Sequence, residues 1–211
     1  MKEYKLPIGC DVPETIILAD GDFPSHPLAL EWLRQCPYVV CCDGAANTYI
    51  RSGRMSEAIV GDGDSLLPGI KERYASLIHS EAEQETNDLS KAFRFCLSQE
   101  RKRITIMGAT GKREDHTIGN VSLLADYMEQ AEVSMMTDYG IFVPIREDSM
   151  FESYIGQQIS VFNMNSTALS AEGLAYPLSV FTNWWQGTLN EALARHFIIR
   201  TEGKVLVFRV F

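Results

Sequence analysis

The first two thirds of the chain alternate short apolar runs with longer segments in which apolar residues recur at helical spacing. Uniformly apolar runs predict strands of a sheet covered on both faces, and a recurrence every three to four residues predicts helices. Five strands are predicted at residues 15–19, 38–42, 58–60, 77–79 and 103–107, and the strongest helices at residues 28–34, 89–97 and 116–129. This alternation is typical of βαβ units.

The pattern changes after about Glu132, where helical spacing nearly vanishes. Short apolar runs separated by turn residues predict strands at residues 133–137, 141–145, 158–162, 197–200 and 205–210. We therefore predict an α/β domain with a mostly parallel sheet over residues 1–137 and a small all-β sandwich over residues 138–211. Asp138, Tyr139 and Gly140 indicate a turn between the two domains.

Composition narrows the class of protein. The chain has 211 residues, of which 45% are hydrophobic, and its formal net charge is -9. This length can bury a substantial core, which argues against intrinsic disorder. An acidic chain without a block of basic residues is a poor candidate for nucleic-acid binding. Since no apolar stretch approaches the roughly 18 residues of a membrane span, we also expect no membrane association.

The cysteines indicate the compartment. They are five in number, two of them are adjacent, and none shows Cys-x-x-Cys spacing. An odd count without that spacing argues against a disulfide framework and against a structural zinc site. We expect reduced cysteines and a cytoplasmic location.

Acidic residues follow several of the predicted strands. Asp43 comes directly after the second strand, Asp62 and Asp64 follow the third, and Asp88 lies at the start of a helix with Lys91 one turn later. Ligands of parallel sheets collect beyond the carboxyl ends of the strands. Two carboxylates two residues apart suit a hard cation, although a Gly-Asp turn explains the same spacing. For Asp88 and Lys91 alone, the helix dipole and a solvated ion pair are adequate explanations.

The segment after the fifth strand combines glycines and cations before a helix. Gly108, Gly111, Lys112 and Arg113 could bind a phosphate group through backbone amides and positive charge. The alternative is an ordinary βα turn in which Asp115 serves as the helix N-cap. Neither the P-loop spacing nor the dinucleotide-binding spacing is present in the chain's glycine-rich segments.

Aromatic residues cluster near the C-terminus. Tyr176, Trp184 and Trp185 lie close in sequence to Asn190. If the adjacent tryptophans belong to a strand, they point to opposite faces and only one can be in the core. Packing in a core or a subunit interface is favoured for the tryptophans taken alone, although an exposed aromatic could stack on a flat cationic ring.

Together, four loops in this order resemble the thiamine pyrophosphokinase family. They are residues 42–47 (CDGAAN), residues 61–65 (GDGDS), residues 84–91 with Gln84, Asp88 and Lys91, and residues 108–120 with Arg113, Asp115, His116 and Asn120. Residues 173–178 and 189–191 are similar to two further motifs of the family. The chain departs from the pattern at Gly63, Asn87, Lys112 and Leu189.

The resemblance implies an enzyme that transfers the pyrophosphoryl group of ATP to thiamine, giving thiamine diphosphate and AMP. It implies catalytic roles for Asp43, Asp62, Asp64, Asp88, Arg113 and Asp115, the first four also binding Mg²⁺. Contacts with ATP or its phosphates are implied for Gln84, Lys91, Gly108, Gly111, Lys112 and Arg113. Substrate contacts are implied for Asn47, His116, Asn120, Tyr176 and Asn190. Asp115 either orients Arg113 or accepts the proton of the alcohol.

The family resemblance also implies a homodimer in which thiamine is held between the α/β domain of one subunit and the β domain of the other. Two alternatives remain at this point. Acid-rich loops at strand ends also serve Mg²⁺-dependent phosphohydrolases, and a non-enzymatic nucleotide sensor would carry similar loops.

Overall fold

The computed structural model describes residues 1–7, 9, 11–81, 83 and 85–211. The helices are α1 (Pro27–Gln35), α2 (Ala45–Arg51), α3 (Pro68–Arg73), α4 (Asp88–Ser98) and α5 (Glu114–Tyr127). The strands are β1 (Lys2–Tyr4), β2 (Thr15–Leu18), β3 (Val39–Cys42), β4 (Ala58–Gly61), β5 (Ile78–Ser80), β6 (Arg103–Met107), β7 (Glu132–Met136), β8 (Gly140–Ile145), β9 (Ser149–Glu152), β10 (Gln158–Asn163), β11 (Leu169–Glu172), β12 (Asn190–Glu191), β13 (His196–Thr201) and β14 (Val205–Val210).

The chain divides into two compact units, which are Gly9–Asp138 and Met1–Ile8 together with Tyr139–Phe211. The division after Asp138 falls one residue from the predicted boundary. The assignment of β1 to the α/β domain is corrected, because β1 pairs in parallel with β9 of the second unit. The Tyr4 ring also stacks on Phe151, with ring centroids 4.8 Å apart. A three-residue strand is too short to show a hydrophobic period, so the sequence pattern did not reveal this pairing.

In the unit Gly9–Asp138 the strands follow the order β7-β6-β2-β3-β4-β5. Each of the five neighbouring pairs is parallel. Every residue of β2, β3 and β4 is buried, as the uniformly apolar runs predict for a sheet covered on both faces. The predicted α/β domain is therefore present, and its strand ends meet along one edge of the sheet.

Local chemistry explains where the helices of this unit begin. Pro27 begins α1, and the His26 Nδ1 atom accepts a hydrogen bond from the Leu28 amide. The Asn87 side chain accepts a hydrogen bond from the Ser90 amide at the start of α4. Side-chain acceptors at these positions satisfy amides that have no partner within the helix.

The regular structure of the second unit is mainly β-strand, as the sequence pattern predicts. Its strands form two hydrogen-bonded sets, with the orders β1-β9-β13-β11 and β12-β10-β14-β8. One hydrophobic cluster contains residues from strands of both sets, and it consists of Ile141, Val143, Ile145, Phe151, Ile159, Val161, Leu169, Leu178, Ala192, Phe197, Ile199, Val205 and Val207. The alternating burial along β10 and β13 is typical of strands with one face on a core, whereas β8 is buried at five of its six residues.

Two further expectations can be compared with the described residues. Within them, no helix has both the length and the apolar character needed to cross a bilayer. The cysteines at positions 36, 41, 42 and 96 are free thiols, and the last three are buried. Cys10 lies outside the described residues.

Candidate active site

Three carboxylates converge where β3 and β4 end. Asp43 follows β3, whereas Asp62 and Asp64 follow β4, and the two strands are parallel neighbours. One oxygen from each of the three carboxylates lies within 4.8 Å of the others. Like charges this close repel each other in the absence of a cation. The sequence-based expectation that these acids meet at one sheet edge is therefore met in the geometry.

The Asp43 carboxylate is the buried member of this cluster, with 3% of the residue exposed. Its Oδ2 atom accepts a hydrogen bond of 3.0 Å from the Ser65 amide. Its Oδ1 atom is buried and has no hydrogen-bond partner among the described residues. Burial raises the pKa of Asp43, the Ser65 amide opposes that rise, and Asp88, Asp64 and Asp62 add to it. A buried oxygen without a donor is suited to a cation.

Hydrogen bonds hold the loop that carries Asp62 and Asp64. The Asp64 amide donates to Asp62 Oδ1 (3.1 Å), and the Ser65 hydroxyl donates to Asp64 Oδ1 (2.9 Å). The Asn47 amide group donates to the Ser65 carbonyl and accepts from the Leu67 amide. Asn47 was expected at the substrate, and in the structure both ends of its side-chain amide bind this loop.

Asp88 approaches the cluster from the first turn of α4, but it is not one of the three acids whose oxygens lie within 4.8 Å of one another. A Cβ atom at Gly61 would lie 2.8 Å from Asp43 Cβ and 3.4 Å from Asp88 Cγ, so the absence of a side chain at Gly61 allows the two acids to approach. Lys91 Nζ donates to Asp88 Oδ1 at 3.2 Å, and only 3% of the Lys91 side chain is exposed. A buried ammonium group next to this carboxylate reduces the local negative charge.

The loop after β6 has three residues in the left-handed region of the backbone: Gly108 (φ 64°), Lys112 (φ 57°) and Gly111 (φ 79°). Asn120 Nδ2 donates to the Ala109 carbonyl at 2.9 Å and so ties the loop to α5. Asn120 Oδ1 accepts from Asn87 Nδ2 at 3.2 Å, a bond that connects the middle of α5 to the residue that caps α4. The expected substrate residue Asn120 thus contacts the protein with both amide atoms.

Arg113 and Asp115 form an exposed two-point ion pair at the start of α5. Arg113 Nε donates to Asp115 Oδ1 at 3.0 Å, and Nη2 donates to Oδ2 at 2.5 Å. Hydrogen bonding from Arg113 lowers the pKa of Asp115, and the His116 amide contributes in the same direction. Arg113 is the residue before the helix, so the alternative of Asp115 as N-cap is wrong.

Two further predicted site residues can be accounted for briefly. The His116 side chain is exposed, and Gln84 lies outside the described residues.

Sequence reasoning missed Asp20 and Asp22, which follow β2. Lys112 Nζ donates to Asp20 Oδ1 at 3.1 Å, and the Asp22 amide donates to the Thr110 carbonyl. The sequence did indicate these residues. Asp20 and Asp22 follow the first predicted strand, just as the other acids of the site follow the second and third predicted strands. The rule that ligands collect at strand ends therefore applies to this loop as well.

The candidates in the second unit lie around β12. Tyr176 is 64% exposed, and the buried Asn190 holds its backbone: Oδ1 accepts from the Tyr176 amide and Nδ2 donates to the Tyr176 carbonyl. The expectation of a strand with one buried tryptophan is wrong. Trp184–Gly187 forms a 3-10 helix, and Trp184 and Trp185 are both exposed. Asn190, expected at the substrate, supports the segment that presents the exposed Tyr176 ring.

Comparison with known proteins identifies the family. The model described as "Thiamin pyrophosphokinase, catalytic domain" matches residues 29–136, and "Thiamin pyrophosphokinase, substrate-binding domain" matches residues 140–208. Thiamine pyrophosphokinase 1 of Oryza sativa is 29% identical over 129 residues, covering 49% of this chain and 49% of that protein. Thiamin pyrophosphokinase 1 of Caenorhabditis elegans is 30% identical over 110 residues, covering 48% of this chain and 45% of that protein. The alignments thus span about half the length of these curated relatives.

Solved structures share the fold. Thiamin pyrophosphokinase from Candida albicans superposes with a TM-score of 0.81 at 17% identity, covering 100% of this chain and 93% of that one. The Bacillus subtilis enzyme gives a TM-score of 0.77 at 20% identity, covering 93% and 98%. Because the catalytic-domain model alone matches more than half of the residues and the second model matches most of the remainder, the chain belongs to the thiamin pyrophosphokinase family.

Proposed function

We propose that this protein transfers the pyrophosphoryl group of ATP to the hydroxyl group of thiamine, giving thiamine diphosphate and AMP. The observation that carries the proposal is the convergence of Asp43, Asp62 and Asp64 around a buried Asp43 oxygen that lacks a donor among the described residues. Membership in the family supplies the substrate class. The proposal places the protein in thiamine diphosphate biosynthesis.

The donor set fits a magnesium ion, because Mg²⁺ prefers carboxylate oxygens and retains several water ligands. Asp43, Asp62, Asp64 and Asp88 would hold it, and the ion would neutralise charge on the phosphate oxygens. The unpartnered Asp43 oxygen supports this assignment, since a protein donor would otherwise be expected there.

The remaining residues would position the reactants. Lys91, which uses one of its three protons on Asp88, can donate to a phosphate oxygen, and Gln84 is proposed for the same role. Gly108 and Gly111 would bind the polyphosphate from the β6 loop, and Lys112 would offset negative charge beside it. Arg113 would stabilise charge that develops during transfer. Because both carboxylate oxygens of Asp115 accept hydrogen bonds from Arg113, we assign Asp115 the role of orienting Arg113.

Thiamine contacts are proposed for Tyr176, whose exposed ring could stack on a flat cation, and for His116. Asn47, Asn120 and Asn190 would act through the loops that they hold. We further propose a mostly parallel α/β domain combined with a β sandwich, a homodimeric assembly with sites shared between subunits, and a cytoplasmic location. Free thiols at the four described cysteines are consistent with that location.

One assay separates this function from the two alternatives. The protein is incubated with ATP, Mg²⁺ and thiamine, and AMP and phosphate are quantified. Thiamine-dependent AMP release supports the pyrophosphokinase, phosphate release without thiamine indicates a phosphohydrolase, and no turnover indicates a sensor. Asp62→Asn should abolish AMP release while the circular dichroism spectrum stays unchanged. Asp126→Asn, which alters an exposed acid of α5, is the matched control and should retain activity.

A further inference from the structure

The loops that follow β2 and β6 are joined along their backbones. The Gly21 amide donates to the Gly108 carbonyl at 2.6 Å, and the Asp22 amide donates to the Thr110 carbonyl at 2.9 Å. A Cβ atom at Gly21 would lie 2.4 Å from both of these carbonyl oxygens, so only glycine permits this approach. The joined loops carry Asp20 to the edge of the candidate active site.

Asp20 lies beside the acidic cluster. Its Oδ2 atom would be 2.6 Å from a Cβ atom on Gly44, the residue that follows Asp43. Its Oδ1 atom accepts from Lys112 Nζ at 3.1 Å, and its carbonyl oxygen accepts from the same ammonium group at 2.8 Å. The β2 loop therefore adds a negative charge to a site that already contains Asp43, Asp62, Asp64 and Asp88, and Lys112 neutralises that added charge.

Stability does not explain a lysine at position 112. Its backbone is left-handed, with φ 57°, a conformation that is unfavourable for residues other than glycine. The ion pair is exposed, with 53% of the Lys112 side chain and 47% of the Asp20 side chain accessible. An exposed pair stabilises a protein by less than the left-handed conformation costs. Strained residues of this kind concentrate at functional sites.

We propose that Lys112 and Asp20 form a charge-compensating pair that sets the affinity of this site for the polyphosphate chain of ATP. Lys112 offsets the Asp20 carboxylate, which would otherwise repel an anionic ligand. The inference rests on the proposed function and deepens it, because it assigns a role to an acid outside the metal-binding set. Lys112 acts here through Asp20 and is a positioning residue.

A double-mutant cycle tests the pair, with the dissociation constant of ATP in the presence of Mg²⁺ measured by calorimetry without thiamine. Lys112→Gly removes the ammonium group and suits the left-handed backbone, so the variant should fold. It should weaken ATP binding about threefold to fivefold, the range expected for an exposed pair. In an Asp20→Asn background the same substitution should change binding by less than about 1.5-fold. Asp20→Asn alone should leave binding equal or tighter.

The matched control is an exposed ion pair at the opposite ends of β2 and β6. Arg103 Nη1 contacts Glu14 Oε1 at 2.8 Å, at the ends of β6 and β2 that lie away from the site. Glu14→Gln removes this ion pair and should leave ATP binding unchanged. That result would exclude a general effect of removing a surface ion pair at these strands.

Three results would overturn the proposal. Lys112→Gly could reduce the affinity for ATP equally in the unaltered protein and in the Asp20→Asn variant, or it could reduce that affinity in neither. The third result is weaker ATP binding after Asp20→Asn alone. Steady-state KM values for ATP should follow the same pattern, with kcat changed less than KM. Absence of thiamine-dependent AMP release by the unaltered protein would refute the proposed function instead. The calorimetric cycle would then still decide whether the pair controls polyphosphate affinity.

Discussion

Replacing Asp43 with asparagine should stabilise the metal-free protein and abolish its activity. The buried Oδ1 atom has no hydrogen-bond partner among the described residues, and burial raises the pKa of Asp43, with three other carboxylates adding to the rise. Asparagine keeps the oxygen that accepts from the Ser65 amide. It also removes the charge and places a donor beside the acids, whose nearest oxygens lie within 4.8 Å.

The expected stabilisation by Asp43→Asn follows from the free-energy cost of leaving a buried polar atom unpaired, which is about 1–3 kcal/mol. The introduced amide group would satisfy that position only in part, so we expect the free energy of unfolding to rise by about 1–2 kcal/mol in EDTA. For a chain of this size the melting temperature should then increase by about 2–8 °C. Saturating Mg²⁺ should reverse the order, because binding at about 100 times Kd stabilises the unaltered protein by about 2.7 kcal/mol.

The pKa shift gives this difference a pH dependence. The pKa of Asp43 is raised above its ordinary value of 3.8, so the folded state binds this proton more tightly than the unfolded chain. The stability that protonated Asp43 contributes is present below pH 3.8 and is lost as the pH rises through the raised pKa. The stability advantage of Asp43→Asn should therefore be small at low pH, grow above pH 3.8 and remain constant once Asp43 is fully ionised.

The unaltered protein and the Asp43→Asn variant are melted in a calorimeter in EDTA and in MgCl₂, from acidic to neutral pH. These measurements give the stabilisation in EDTA, its reversal by Mg²⁺ and its dependence on pH. Asp126→Asn serves as the control and should show neither the stabilisation nor the altered response to Mg²⁺. The reasoning is refuted if Asp43→Asn is less stable than the unaltered protein in EDTA, or if both proteins gain equally from Mg²⁺. The first result would mean that the Asp43 carboxylate is satisfied within the fold, and the second that it does not bind Mg²⁺.

Two further predictions concern the second unit. Leu189 is 76% exposed and has φ 61°, so Leu189→Asn should raise the free energy of unfolding by about 1 kcal/mol in urea titrations, whereas Leu189→Ala, which keeps the strained backbone, should give no gain. Equal stabilities for the asparagine and alanine variants would contradict the strain argument. Tyr176→Ala should raise the KM for thiamine more than the KM for ATP, because the exposed ring is assigned to the vitamin. Equal changes in both KM values would remove Tyr176 from the thiamine site.

Elements with an extended, mostly buried apolar pattern were predictable from the sequence. The predicted strands at residues 103–107 and 205–210 coincide with β6 and β14, because the apolar pattern of each extends over several residues. Helices α2 and α3 and strands β1, β9, β11 and β12 were not predicted. They are two to seven residues long, and none of the six α3 residues is buried, so they have little hydrophobic period to detect.

The acidic residues of the candidate site could be predicted from the sequence, whereas the roles of its asparagine side chains were harder to predict. Asp43, Asp62 and Asp64 follow strands whose ends meet, and that rule needs only the order of elements. The same rule would have identified Asp20, which was overlooked. Asn120 and Asn190 were assigned to substrate, whereas their amides bind backbone groups. Residue type cannot distinguish these uses, because an amide serves a ligand and a loop with the same atoms.

By itself the sequence determines the longer strands and helices and which loops carry carboxylates at the strand ends. It does so because burial requires either a continuous apolar run or a period of about two or about 3.6 along the chain. Only the tertiary structure decides that Asp43 keeps a buried oxygen without a donor among the described residues, or that Lys112 reaches Asp20 across 92 positions of chain. These properties depend on distances and angles between residues remote in sequence, and electrostatic energies change steeply over a few ångströms.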